Sequence, residues 1–179
     1  MSLFGPPVLY AQISARRLAL RHSGTGATFD EAVVLAVQAA APGRRGARAQ
    51  PARVLALGEA ALALAAAARS GAEAGCQLVH PFAHPRILVS DLDLAAYLFR
   101  VAVNAVFKRR WLAPRLVMHP LDEFEGGLTP LEIEVLRDLA RSVGAQQAQV
   151  WQGPRFDTFR TFFMQANNLF FNFLNPADT

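Results

Sequence analysis

The sequence predicts an α/β fold in a single domain, with a mixed sheet and flanking helices. Two short apolar runs, Val8–Ile13 and residues 18–21, are separated by a polar turn and indicate an antiparallel hairpin. Later in the chain, apolar runs of strand length alternate with segments of helical period, as in strand–helix–strand units. Because 53% of the 179 residues are hydrophobic, the chain can bury one ordinary core.

Four more extended segments are predicted before the long central helix. Residues 33–37 form an apolar run, and a strand resumes at residues 54–57. Residues 39–53 between them are rich in Pro, Gly, Ala and Arg, which is typical of a solvated loop. Residues 77–80 and 86–89 are also expected to be extended.

Two helices are predicted in the middle of the chain. An alanine-rich segment at residues 59–69 has high helix propensity. Ser90 is a candidate N-cap for a longer helix that runs to about Phe107, because apolar residues recur at helical spacing along it.

A third helix begins at Thr129-Pro130-Leu131-Glu132 and ends near Gly144. This stretch has the capping-box pattern, with proline at the first helical position. Strands are expected on either side of the helix, at residues 115–118 and 147–151.

The composition excludes several classes of protein. Lys108 is the only lysine and has no glycine-rich loop before it, which excludes P-loop, kinase and Schiff-base chemistry. The single cysteine, Cys76, suits a reducing compartment. Residues 1–10 lack the features of a secretory leader, and the apolar run at residues 54–68 is too short to cross a bilayer. A cytoplasmic protein is therefore expected.

Four stretches carry a resemblance to a known family: residues 9–21, residues 29–34 with 53–60, residues 79–91, and residues 113–145. In the last stretch a strand, a glycine-bearing loop, Thr129-Pro130-Leu131-Glu132 and Gly144-Ala145 follow in the family's order. Together they resemble the N-terminal half of MreB, the rod-shape-determining bacterial member of the actin-like ATPase family. The resemblance implies half of an actin-like (ribonuclease H-like) fold, with residues 1–154 as the lobe and residues 155–179 as a helical tail.

The resemblance also implies two lobes that close on ATP, and filaments beneath the membrane. The family's first hairpin carries an Asp-Leu-Gly-Thr type phosphate loop, whereas the matching positions here are Gln12, Ile13, Ser14 and Ala15. The magnesium-side aspartate and the glycine are both replaced, and two arginines follow, so the phosphate loop is degenerate.

Glu132 is the candidate catalytic residue, because it matches the glutamate that positions the attacking water in the family. The same glutamate, three residues after Thr129, is also what a capping box requires. An ATP-binding cytoskeletal protein that uses Glu132 once a partner completes the cleft is therefore an alternative function, with ATP and Mg²⁺ as its cofactors.

Histidines offer a second alternative, a small metal-dependent hydrolase. His80 and His84 have the i, i+4 spacing of zinc ligands, and His119, with the acidic residues Asp122, Glu123 and Glu125, could complete the set. Pro81 and Pro85 disfavour the helix that this spacing needs. The sequence therefore favours no metal site.

Two clusters of basic side chains could bind the phosphate groups of nucleic acid or anionic lipid. Arg44, Arg45, Arg48 and Arg53 lie in the predicted loop, and Lys108-Arg109-Arg110 ends the long predicted helix. The net charge is only +4 and neither cluster has interleaved aromatic residues, so nucleic-acid binding is not expected and peripheral membrane proximity is somewhat better supported.

The tail holds seven of the chain's thirteen phenylalanines. The spacing of its apolar residues predicts a helix with a wide apolar face, which would cover the lobe or contact a partner. The candidate interface residues are Phe159, Phe162, Phe163, Phe170 and Phe173.

These observations favour a non-catalytic MreB-like scaffold or interaction protein connected with cell shape or the cell envelope. The expected partners are a second copy, with a dimer favoured, or another protein. The expected location is the cytoplasm, including the inner face of the membrane.

Overall fold

The structure is a computed structural model that describes residues 6–38, 53–69, 76–84, 87–108, 112–122 and 126–156. The phenylalanines of the predicted tail interface lie outside these residues, as do most of the loop at residues 39–53 and the side chains of Arg109 and Arg110. The described elements, in chain order, are β1 (Val8–Ile13), β2 (Arg17–His22), β3 (Thr28–Ala32), β4 (Leu35–Gln38), β5 (Arg53–Leu57), α1 (Gly58–Arg69), β6 (Cys76–Val79), α2 (Leu92–Val106), β7 (Arg115–Pro120), α3 (Pro130–Ser142) and β8 (Gln147–Val150).

The main sheet is mixed and has the strand order β3-β2-β1-β7-β8. The β1–β2 and β2–β3 pairs are antiparallel, whereas β7 runs parallel to both β1 and β8. The predicted α/β class, with a mixed sheet and flanking helices, is confirmed.

A second, antiparallel sheet has the order β5-β4-β6. The strand predicted at residues 33–37 is β4, which begins at Leu35 and lies on this second sheet. Strand β3 is missing from the sequence prediction because Asp30 and Glu31 weaken its strand pattern. The strand is stabilised by its pairing with β2, which includes the Arg17–Asp30 ion pair at 2.7 Å, and not by its local strand propensity.

Helices α2 and α3 cover one face of the main sheet. The inward-facing side chains alternate along β1, where Leu9, Ala11 and Ile13 are fully buried. They share one core with Phe99 of α2 and Leu136 of α3, both also fully buried. Helix α1 packs instead on the second sheet, through Ala61 against Val34 and Ala36.

The start of α2 differs from the sequence prediction. The N-cap is Asp91, whose carboxylate accepts a hydrogen bond from the Leu94 N–H at 3.0 Å. Ser90 instead donates its hydroxyl to the carbonyl of Pro81 at 3.0 Å, so it ties the preceding loop together. Residues 87–89, expected to be extended, form no strand. The predicted end of α2 at Phe107 is confirmed, as is the capping box of α3.

Within the described ranges, none of the helices is long and apolar enough to cross a membrane.

Candidate functional site

The turn between β1 and β2 lies where the sequence places the degenerate phosphate loop. The Ser14 N–H donates to the carbonyl of Arg17 at 2.9 Å, and the Arg17 N–H donates to Ser14 Oγ at 3.0 Å. The Ser14 hydroxyl also reaches the Arg17 carbonyl, at 3.1 Å. The turn is therefore closed by its own atoms, and the serine side chain takes up one of its backbone donors.

A carboxylate from the loop after β7 is hydrogen-bonded to the same turn. Because β1 and β7 are parallel neighbours, their carboxyl ends lie at the same edge of the sheet, with Ile13 opposite Pro120. The Leu121 N–H continues this pairing by donating to the Ile13 carbonyl at 2.7 Å. Asp122 Oδ2 then accepts the Ala15 N–H at 2.6 Å. The turn already holds an anionic group that belongs to the chain.

Gln12, which the sequence resemblance places at the family's magnesium-side aspartate, contacts a buried tyrosine. Its side-chain Nε2 donates to the Tyr10 hydroxyl at 3.3 Å. The same hydroxyl is hydrogen-bonded to His119 Nδ1, on the neighbouring strand β7. Burial raises the pKa of Tyr10 and lowers the pKa of His119. Both shifts favour the neutral forms, so the tyrosine and the histidine form an uncharged polar pair beside Gln12.

Aromatic side chains cover this group. Phe156 packs edge-on against Tyr10, with ring centroids 5.0 Å apart, and stacks on Trp151 at 5.2 Å. The Trp151 Nε1–H donates to the Pro154 carbonyl at 2.9 Å, which folds residues 151–156 over the sheet face opposite α2 and α3.

Two of the histidines considered as zinc ligands contact other groups of the chain. His80 Nδ1 contacts the Val33 carbonyl at 3.1 Å, and His119 binds Tyr10. Among the residues that the structure describes, no three His, Cys, Asp or Glu side chains form a metal-binding group. Glu123 and Glu125 lie outside those residues.

Glu132 serves as a cap on its own helix. One of its carboxylate oxygens accepts the Thr129 N–H at 2.9 Å and the Thr129 hydroxyl at 2.8 Å, while the Glu132 N–H donates to Thr129 Oγ1. The hydrogen bond from the Thr129 backbone lowers the pKa of Glu132.

Sequence reasoning missed the position of Asp122 at the turn, because Asp122 was considered only beside the histidines. The signal that points to it is topological: a parallel pairing of β1 with β7 brings the residues after both strands to one edge. The sequence of neither strand alone predicts that pairing.

The fold and this edge of the sheet can be compared with known proteins. No model of a known protein family matches the chain, and no curated protein matches it. Among solved structures, MreB5 of Spiroplasma citri bound to AMPPNP matches with a TM-score of 0.60 and 17% identity, over 83% of this chain and 39% of that chain. The same protein bound to ADP gives a TM-score of 0.58 and 16% identity, over 82% and 38%. A non-polymerising mutant of MamK bound to AMPPNP gives 0.53 and 15%, over 82% and 40%.

The chain has an actin-like fold. It spans about two fifths of the length of the MreB5 and MamK chains that it matches. The resemblance to MreB found in the sequence is thereby confirmed at the level of the fold.

The residues of this actin-like fold do not fit a magnesium nucleotide at the β1–β2 turn. The Ala15 N–H is engaged by a carboxylate, which would repel a phosphate at the same place. The Ser14 and Arg17 N–H groups are engaged within the turn. Gln12, at the position that the resemblance assigns to the magnesium-side aspartate, carries an uncharged amide, whereas Mg²⁺ prefers carboxylate ligands.

Substitutions at Glu132 test its role as a capping residue. Glu132→Ala is expected to lower the free energy of unfolding by about 1 kcal/mol, because the Thr129 N–H loses its acceptor. Glu132→Gln keeps an acceptor and is expected to stay within about 0.5 kcal/mol of the native chain. Urea denaturation at pH 7 measures both.

The capping role of Glu132 also predicts a pH dependence. Because the pKa of Glu132 is lower in the folded than in the unfolded chain, its contribution is present above the unfolded pKa. The contribution is lost as the pH falls through the folded pKa, so the difference between native and Glu132→Ala should shrink in acid. An alanine variant as stable as the native chain at pH 7 contradicts the capping role.

Proposed function

We propose that this chain is a non-catalytic, MreB-like scaffold or interaction protein that works without nucleotide. The observation that carries the proposal is the β1–β2 turn, in which the Ala15 N–H donates to Asp122 and the Ser14 and Arg17 N–H groups are bonded within the turn. Protein binding requires a stably folded lobe. It does not require a phosphate contact at this edge of the sheet.

The packing of the lobe supports this proposal. Helices α2 and α3 form one continuous core with the main sheet, and Tyr10 and Val117 are buried on the opposite face. Both faces of the central strands are thus occupied within a chain that spans two fifths of the length of MreB5. A folded lobe of this kind is a suitable platform for contacts at its surface.

The proposed role is in bacterial cell shape or the cell envelope, with a second copy or another protein as the partner. The chain would act in the cytoplasm, including at the inner face of the membrane. The likeness of the fold to MreB5 and MamK supports only the broader part of this proposal, a cytoskeletal-type protein. A dimer is the favoured assembly. The candidate interface residues would cover the lobe or contact the partner, and they lie outside the described residues: Phe159, Phe162, Phe163, Phe170 and Phe173.

Light scattering with and without Mg-ATP tests the proposal on the full chain. We expect one mass in both conditions, and no heat of binding for Mg-ATP in titration calorimetry. The expectation follows from the carboxylate and the engaged amides at the turn. Assembly or binding driven by ATP would overturn it and favour the alternative, an ATP-binding cytoskeletal protein in which Glu132→Gln abolishes hydrolysis.

A further inference from the structure

We propose that Tyr10 and His119 form a pH-sensitive latch for the strap, the segment of residues 151–156 that folds over the sheet face opposite α2 and α3. Near neutral pH the pair holds the strap on the sheet. Protonation of His119 in acid breaks the pair and releases the strap. This latch belongs to the fold itself and does not depend on nucleotide binding.

Hydrogen bonds join the strap to both members of the pair. The Tyr10 hydroxyl is bonded to His119 Nδ1, and its oxygen also accepts from the Gln12 side chain. The Phe156 backbone N–H donates to the same oxygen. His119 is in turn hydrogen-bonded to the Gly153 carbonyl. Two backbone groups of the strap are therefore tied to side chains of β1 and β7.

Aromatic packing closes the strap over the histidine. The Phe156 ring lies edge-on to Tyr10 at 5.0 Å between centroids, and its centroid is 6.4 Å from that of His119. Trp151 stacks on Phe156 from the other end of the strap. His119 is only 3% exposed, so a charge on its ring can be hydrated only when the strap moves away.

The hydrogen bonds determine which ring nitrogen of His119 carries the proton. Because the Gly153 carbonyl can only accept, the neutral ring is protonated on the nitrogen that faces this carbonyl. Nδ1 is therefore the acceptor for the Tyr10 hydroxyl. A second proton, on Nδ1, removes that acceptor. The Tyr10 oxygen cannot take Nδ1–H as a third donor without losing the Gln12 or the Phe156 bond.

The charged groups near the pair are mostly cations. Among the described residues, those on the strap and on the strands of this sheet face are Arg17, Arg21, Asp30, Arg115 and Arg155. Asp30 is ion-paired with Arg17, and Asp122, in the loop after β7, accepts the Ala15 N–H. Helices α2 and α3 pack on the other face of the sheet. A proton on His119 therefore adds a positive charge beside more arginines than carboxylates.

These surroundings determine the direction of the pH dependence. Burial, and to a smaller extent the Arg155 guanidinium, lower the pKa of His119 from its ordinary value of 6.5. The open strap, in which the ring is hydrated, therefore binds the proton more readily than the closed one. The closed strap is fully favoured above pH 6.5 and loses stability as the pH falls below this value towards the pKa of the closed form.

The test is native-state amide hydrogen exchange of the full chain, followed by NMR in acid and at neutral pH and corrected for intrinsic exchange. The protection of the Phe156 amide is expected to fall by up to about tenfold for each pH unit below 6.5. The Ala102 amide, in the buried face of α2, reports on the core and should keep its protection. The nitrogen chemical shifts of His119 should show an unprotonated Nδ1 at neutral pH.

Three variants examine the latch directly. His119→Asn keeps an acceptor beside the Tyr10 hydroxyl but cannot be protonated, so the pH dependence of the Phe156 amide should disappear. His80→Asn is the matched control, because His80 contacts the Val33 carbonyl and not the strap, and it should leave the pH dependence unchanged. Tyr10→Phe removes the acceptor of the Phe156 N–H, so this amide should exchange about tenfold faster at neutral pH.

Three results overturn the latch. Equal losses of protection at Phe156 and Ala102 in acid mean that the whole lobe opens, and not the strap alone. A pH dependence that persists in His119→Asn means that another group titrates. If His119→Asn does not fold, the comparison with Tyr10→Phe decides, because a native Phe156 amide that exchanges as fast as in that variant is not held by the pair.

Discussion

Phe99→Ala is expected to lower the free energy of unfolding by about 3–5 kcal/mol. Phe99 lies in the middle of α2, is fully buried, and packs edge-on against Phe82 with ring centroids 6.4 Å apart. The substitution removes a large apolar side chain from the core shared by the main sheet, α2 and α3, and leaves a cavity that the sheet cannot close. Urea denaturation followed by circular dichroism measures the loss.

Tyr97 supplies a matched control on the same helix. Its side chain is 39% exposed, so Tyr97→Ala is expected to cost no more than about 1 kcal/mol. Equal losses for the two variants would mean that α2 is not held by the buried face described here.

Val117→Asp is expected to destabilise the chain by at least about 3 kcal/mol, because it places a charge in a buried apolar site. Val117 is fully buried in β7, beside Tyr10 of β1, on the sheet face opposite α2 and α3. The hydrophobic side chains that pack on this cluster are Trp151 and Phe156, and neither carries a cation that could pair with an aspartate. Thermal and urea denaturation of the full chain measure the effect.

Thr28→Asp is the matched control for Val117→Asp. One row of paired residues crosses the main sheet from Thr28 through Arg21 and Tyr10 to Val117. Thr28 lies at the exposed edge of that row, opposite Arg21, so an aspartate there should change the stability by less than about 0.5 kcal/mol. A Val117→Asp variant as stable as Thr28→Asp would show that the second face of the sheet tolerates water.

The helices could be predicted closely because their signals are local. The capping box at Thr129 and Glu132 specifies the first turn of α3 through contacts three residues apart. The apolar spacing of α2 predicts both its length and its buried face. Among the helix signals, only the predicted N-cap of α2 was wrong. Ser90 and Asp91 are both acceptable N-cap residues, and the hydrogen bond from Ser90 to Pro81 in the preceding loop leaves Asp91 as the cap.

The sheets could be predicted only in part. The β1–β2 hairpin is specified by two alternating runs and a short turn. Strand β3 and the division into two sheets depend on which strands become neighbours, and a strand with two acidic residues has too weak a pattern to be recognised alone.

By itself, the sequence determined the α/β class, the three helices and the hairpin, and its resemblance to MreB implied that Gln12 and Ser14 replace phosphate-loop residues. These features depend on periodicity, capping and residue identity, which act over a few neighbouring positions. Only the tertiary structure decided that Asp122 meets Ala15 and that His119 meets Tyr10. Each of these contacts joins residues more than a hundred positions apart, and they form because β1 and β7 pair in parallel and bring distant side chains to one sheet.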